Sequence, residues 1–140
     1  MTFRYLPDVA LADIAFEAEG ASLDELFEAC AVAVTDIMVD PTTLRPTLGR
    51  EITLTSDDAD RLLYDFLTEL IIAKDVDSLL FRDYSVKVSS DGRSLRATAR
   101  GEPIDRERHT LRNDVKAVTM HMFGVRHEQG RWKATVVLDI

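Results

Sequence analysis

Ser85-Val86-Lys87-Val88-Ser89-Ser90-Asp91-Gly92-Arg93-Ser94-Leu95-Arg96-Ala97-Thr98-Ala99 decides the fold of this chain. Two alternating runs, 85–89 and 94–99, flank Asp91-Gly92, a dipeptide that accommodates the positive φ angles of a two-residue hairpin turn. Strands joined so tightly pair antiparallel, because a parallel neighbour needs a crossover of a dozen residues or more. Working outward, a second hairpin is expected downstream: 115–125, a turn near Gln129-Gly130, then 132–138. Between the hairpins lie Gly101, Pro103 and a polar connection that holds His109. Upstream, Ser56 is the expected cap of a helix with Asp57 and Asp58 in its first turn, where the helix dipole favours acids. Its apolar stripe is Leu62, Leu63, Phe66, Leu67, Leu70 and Ile71. The run Asp57-Asp58-Ala59-Asp60 lacks the alternating oxygen ligands around a glycine that a Ca²⁺ loop requires, so it reads as helix-start acids. Residues 51–55 alternate as a short strand, and 41–49, with Pro41, Pro46 and Gly49, read as a loop. Ser22 and Glu25 form a capping box for an earlier helix, whose stripe runs from Leu23 through Phe27, Cys30 and Val34 to Met38 and stops before Pro41. Residues 11–18 alternate as a strand closed by Gly20. The order is β-α-β-α-β-β-β-β. The expected fold is α+β, two helices packed on mostly antiparallel sheet, in a single domain over 1–140.

Charge narrows the function. Seventeen basic residues against 25 acidic ones give a net charge of −8. Proteins that grip nucleic acid do so by neutralising phosphates with Lys and Arg, so strong direct binding to RNA or DNA is excluded. An acidic protein can still dock on a basic, nucleic-acid-handling partner. No apolar run approaches the ~18 residues of a membrane helix. The start, Met1-Thr2-Phe3-Arg4-Tyr5, lacks the pattern of a signal peptide. The single cysteine, Cys30, rules out an internal disulfide and lies on an apolar helix face. A cytoplasmic protein is expected.

No Gly-rich phosphate loop, dinucleotide fingerprint, zinc spacing or His-Glu-x-x-His motif occurs. What remains is charge set in apolar strands. Asp13 interrupts Leu11-Ala12-Asp13-Ile14-Ala15, where an unpartnered carboxylate is costly. Lys116 interrupts Val115-Lys116-Ala117-Val118; it is either a neutralising partner for a carboxylate or a lysine guarding a strand edge. His121 lies five positions later and faces opposite to Lys116 in a regular strand, so both share one site only through a bulge. His109, after Arg106 and Arg108, is an anion contact or a surface histidine. The last strand, 132–138, runs into Asp139-Ile140. The Asp139 side chain and the terminal carboxylate are therefore adjacent, either solvated or joined by a hard cation or a lysine. On the residues alone, a metal-dependent hydrolase and a chaperone-like binding module with an exposed apolar patch both remain open.

Taken together, these segments resemble the archease family over nearly the whole chain. The matching pieces are Ala12-Asp13-Ile14 with Gly20 and the helix from Leu23 to Phe27; the run 62–71; Gly101-Glu102 with His109; Val115 to His121; and Trp132 to Asp139-Ile140. The resemblance implies a cytoplasmic activator of the RtcB-type tRNA-splicing RNA ligase that is not itself the ligase. It would promote guanylylation of the ligase by GTP, support multiple turnover and broaden nucleotide specificity. It also implies a metal ion, Ca²⁺ or another hard divalent cation such as Mg²⁺, held by Asp13, Asp139 and a main-chain or terminal oxygen of Ile140. A functionally required lysine maps to Lys116. Many members carry a histidine three residues before the N-terminal aspartate, where this chain has Ala10; Asp8 is nearby.

Overall fold

The computed structural model describes residues 1–7 and 13–140. Asp8, Ala10 and the first two positions of the strand expected over 11–18 lie outside the described residues. The chain runs β1 (Thr2–Leu6), β2 (Asp13–Gly20), α1 (Leu23–Met38), a short 3₁₀ turn at Pro41–Thr43, β3 (Leu48–Thr55), α2 (Ala59–Asp77), β4 (Leu79–Val88), β5 (Ser94–Pro103), β6 (Ala117–Val118), β7 (Gly124–Glu128) and β8 (Arg131–Asp139). It is an α+β fold in which every strand pair is antiparallel. The described residues form two sheets. One runs β1-β2-β8, with β6 and β7 sharing the far edge of β8; the other is β3-β5-β4. Both helices touch both sheets, and the stacked rings of Phe27 and Phe66, 6.1 Å apart, join the helices to each other.

Local chemistry sets most of the boundaries. Ser22 Oγ accepts the Glu25 N–H at 3.2 Å, and the Glu25 carboxylate reaches back to the Ala21 N–H at 2.7 Å. This is a capping box displaced by one residue. α2 starts two residues later than Ser56 suggests: Asp58 caps it by accepting the Arg61 N–H at 2.8 Å, while Ser56 donates its hydroxyl to Asp65. Polar residues in a row at 56–58 leave the cap to be chosen by which phase buries Leu62 and Phe66. The 85–99 hairpin forms, but its turn is longer than two residues. The Ser89 N–H bonds Ser94 O and four residues intervene, with Asp91 accepting from Ser89 Oγ and the Arg93 N–H. Gln129-Gly130 makes the two-residue turn instead, both residues at positive φ between the paired Glu128 and Arg131.

Two departures from the expected order have tertiary causes. β1 was absent from the sequence reading; Phe3 secures it by packing edge-on against Phe16. The strand expected over 115–125 breaks into β6, a turn at 120–123, and β7. α2 draws the chain aside there: Asp60 takes the Val125 N–H at 2.9 Å and Tyr64 meets Phe123 edge-on at 5.7 Å.

The free edge of β4 lies under α1. Asp24 accepts the Val88 N–H at 2.7 Å, Glu28 accepts the Val86 N–H at 3.0 Å, and Thr35 donates its hydroxyl to Phe81 O at 2.9 Å, where the ladder shifts register. Helix side chains thus satisfy groups that an open edge would offer to another chain. On the β5 side, Gly101 passes so close to β4 that a Cβ there would meet Leu80 O at 1.8 Å. Only glycine lets these backbones approach.

Candidate functional site

The site forms at one end of the five-stranded sheet. Asp13 on β2 and Asp139 on β8 are direct register partners. Directly opposed residues on one face have Cβ atoms about 4.5–5.5 Å apart. Phe16, Ala18, Ala134, Val136 and Leu138 lie in the core, and Ile14 and Ile140 pack against it. By the two-residue alternation of a strand, Asp13 and Asp139 project from the opposite face. Both are partly buried. Among the described residues neither carboxylate has a hydrogen-bond or ion-pair partner. Like charges set directly opposite each other repel.

Lys116 joins them from the other side. Ala117 is the register partner of Asp139, yet the Lys116 N–H also donates to Asp139 O at 2.8 Å. Two consecutive residues facing one is the arrangement of a β-bulge, which re-aims side chains. Lys116 is exposed and makes no ion pair among the described residues. The backbone therefore gathers Asp13, Asp139, Ile140 and Lys116 at one place. The Ile140 side chain packs inward, so only its main-chain oxygens remain for a ligand role. His121 is not brought in; it sits exposed in the turn beyond β6.

His109 belongs to a separate cluster and is no surface histidine: its residue is only 5% exposed. The anion it meets is internal. Its Nε2 lies 2.6 Å from Glu102 Oε1, while its Nδ1 accepts the Asp105 N–H at 2.9 Å. A ring nitrogen that accepts is bare, so the proton sits on Nε2 and points at the carboxylate. Arg108 forks onto the same carboxylate at 2.7 and 2.8 Å, and the Arg45 N–H adds a bond at 2.9 Å. Arg108 above all, then His109 and the Arg45 N–H, hold Glu102 far below the usual carboxylate range against the opposing effect of burial.

The segment leading from this cluster to Lys116 is pinned along its length. α1 has no basic residue in its last turn, and its end carbonyls are capped from a distance. The Arg112 N–H bonds Met38 O at 2.8 Å, the Asn113 N–H and side-chain amide both bond Ile37 O at 3.1 Å, and the Arg112 guanidinium takes Asp36 O and Oδ1. From the end of α2, Lys74, 9% exposed, donates to Asp114 Oδ1 at 2.5 Å and Val115 O at 2.8 Å, with Asp75 at 2.6 Å. Burial lowers the Lys74 pKa, but Asp114 and Asp75 outweigh it and hold the amine above its ordinary value. The bond from Lys74 depresses Asp114 in turn, with smaller contributions from Lys116 and Arg106. A cavity of about 430 Å³ opens beside these groups; its lining sets Lys74, Arg106 and Arg112 against Asp75 and Asp114, with Arg112 paired to Asp36 outside the lining and Arg106 in no ion pair among the described residues.

Sequence reasoning missed Lys74 and quoted Glu102 beside His109 without giving it a role. Both left a signal. Lys74 falls three and four residues after Ile71 and Leu70, on the buried stripe of α2, and Glu102 follows the one glycine that β4 crowds.

Asp13 and Asp139 suit a hard cation by their surroundings: two partly buried oxygen anions face each other with no ion-pair partner among the described residues. The set fits such an ion chemically. It is small, since no group of three His, Cys, Asp or Glu side chains gathers among the described residues. No helix among them is long and apolar enough to cross a membrane.

Comparison with known proteins matches residues 3–140 to the model of the Archease protein family. A protein archease from Pyrococcus abyssi is 39% identical over 132 residues, covering 92% of this chain and 93% of the relative. One from Methanothermobacter thermautotrophicus is 41% identical over 131 residues with the same coverage. The solution structure of a Methanobacterium thermoautotrophicum protein superposes with a TM-score of 0.81 at 38% identity, covering 99% of this chain and 98% of that one. A Thermotoga maritima crystal structure, described as an archease and possible chaperone, superposes at 0.66 with 19% identity over 96% of each chain and speaks to the fold alone.

Proposed function

Because the chain belongs to the archease protein family, we propose that it is a protein activator of an RtcB-type RNA-splicing ligase, and not a catalyst of ligation itself. It acts in the cytoplasm by promoting guanylylation of the ligase and its multiple turnover, and it broadens the nucleotides the ligase accepts. The observation that carries this reading is the register pairing of Asp13 with Asp139, with Lys116 bonded through its backbone to the same Asp139. Asp13, Asp139 and a main-chain or terminal oxygen of Ile140 would hold Ca²⁺ or Mg²⁺. When bound, that ion supplies positive charge that neutralises and aligns a polyphosphate for in-line attack.

The chain's own residues do the rest. The two strands fix the backbones that carry the carboxylates, which lowers the ordering cost of the encounter. Three ligand groups, each bound through one oxygen, leave a shell short of the six to eight oxygens that Ca²⁺ takes, and Mg²⁺ habitually completes its shell with water and substrate phosphates. Such an open site is suited to presentation into a partner's nucleotide pocket. Lys116, exposed beside it, supplies a point charge toward the same phosphates.

Single-turnover guanylylation of the cognate ligase with GTP tests this, with and without the protein and with Asp139→Ala. Stimulation that the variant abolishes is the expected result. An active ligase that ignores the wild-type protein overturns the reading, and phosphate-ester hydrolysis by the protein alone would replace it with the hydrolase reading.

A further inference from the structure

We propose that the turn Met120-His121-Met122 is the apolar contact through which this protein docks on its ligase, entering a pocket with a basic rim. The proposal rests on the activator reading and adds the surface that reading lacks.

Met120 and Met122 are 59% and 50% exposed. Ile72 and Val76, 44% and 73% exposed one turn apart on α2, are a comparable pair, but they sit on regular helix, whereas the methionines sit on a turn. The Phe123 N–H closes the turn on Met120 O at 3.3 Å, which puts Met122 third of four with φ 56. Glycine or asparagine normally fills that position, because a Cβ is strained there. Here a large apolar side chain accepts the strain while standing in solvent. Backbone strain held for a side chain that stabilises nothing inside is a mark of function.

The turn is also held still. The Thr119 N–H bonds Val137 O at 2.9 Å on one side; Phe123 on Tyr64 and the Val125 N–H on Asp60 fix the other. An apolar surface ordered in advance loses less on binding. Methionine suits such a contact, since its flexible, polarizable chain fits irregular pockets and is enriched at interfaces.

Position and charge define the occupant. Val137 precedes Asp139 by two residues, so the turn leaves the sheet about 7 Å along β8 from the carboxylate pair. The turn thus stands close to the Asp13–Asp139 pair on a chain of net charge −8. Complementarity then calls for a basic or cation-bearing rim. A second copy fits poorly, because it carries the same net charge of −8. RNA fits poorly for the same reason of charge.

The test measures affinity for the cognate ligase by titration calorimetry for the wild type, Met122→Gly, and the double variant Met120→Gln with Met122→Gln. Melting temperature and sedimentation are recorded for each. Met122→Gly is expected to melt above the wild type, because the strain is gone, yet to bind about tenfold weaker. The double variant is expected to bind at least as weakly at an unchanged fold. If the wild type binds and both variants stay within about threefold of it, the turn is not the contact and the proposal falls, while the activator reading stands. If the wild type itself does not bind, the activator reading falls with it. Self-association or RNA retention that the variants abolish would assign the turn to those partners and overturn the proposal.

Discussion

Glu102 keeps a full charge inside the protein because four donors converge on it: two from Arg108, one from His109 and one from the Arg45 backbone. Its carboxyl is held well below the usual range, chiefly by Arg108. As pH falls, the unfolded chain takes up this proton first, near the ordinary glutamate value of about 4.3. The stabilisation from this group is therefore complete above that pH and drains away below it. In urea titrations repeated from neutral to acid pH, Glu102→Gln should flatten the acid limb of stability. Glu102→Ala should cost about 3 kcal/mol at neutral pH, the lower end for a broken buried pair, since Arg108 is a third exposed. The ¹⁵N signals of His109 should report a proton on Nε2; a proton on Nδ1 would contradict the Asp105 contact. Asp13 and Asp139 make a prediction with a crossover. Without divalent cation, Asp139→Asn should melt above the wild type, since like-charge repulsion is relieved; with Ca²⁺ at about 100 times its Kd, linkage should add about 2.7 kcal/mol to the wild type alone. A scanning calorimeter reads both. Asp13 and Lys116 drew notice because each interrupts an apolar run, and Asp139 because it ends the last strand beside Ile140. Lys74 and Glu102 left only a positional signal, because the partners that make them bearable, Asp114 and Arg108, are chosen by packing.

At the scale of the element, the cover of α1 over β4 is open to a clean test. Replacing Asp24 and Glu28 by Ala strands the Val88 and Val86 N–H groups, at about 1–3 kcal/mol each. Replacement by Asn and Gln keeps an acceptor in place and should cost far less. The Ala pair should also associate at high concentration in sedimentation, as an uncovered edge invites strand pairing. α1 itself was legible from Ser22 and Glu25, since a capping box is a contact between near neighbours. The strand expected over 115–125 was misread because its break is caused by Asp60 and Tyr64, more than fifty residues earlier. The cap of α2 slipped from Ser56 to Asp58 for a similar reason, a choice among adjacent candidates made by burial.

Over the whole molecule, residues 104–116 are the link between both helix ends and the carboxylate site. Arg112 and Asn113 close the end of α1, Lys74 at the end of α2 holds Asp114 and Val115, and Lys116 comes next. Arg112→Ala removes two bonds to Asp36. It should lower stability by about 1–2 kcal/mol, speed hydrogen exchange across 110–116, and weaken cation binding at Asp13 and Asp139 although it touches neither. Unchanged cation affinity alongside faster exchange would show that the link is structural only. The α+β class was legible from the hairpins, but the pairing of β2 with β8 was not: nothing in either run says that the thirteenth residue opposes the hundred and thirty-ninth.

The cover of β4 also constrains what the gene can change. Four residues of helix rise about 6 Å, and two residues of strand advance about 6.6 Å, so Asp24 and Glu28 keep step with Val88 and Val86 only because two unlike repeats nearly coincide. Inserting one residue between Asp24 and Glu28 would turn one of them about 100° off the edge while leaving a perfectly good helix. α1 therefore works as a ruler. Its composition is free to drift on the solvent side, but its length is not, and an error in length would surface as a sticky protein before it surfaced as an unfolded one.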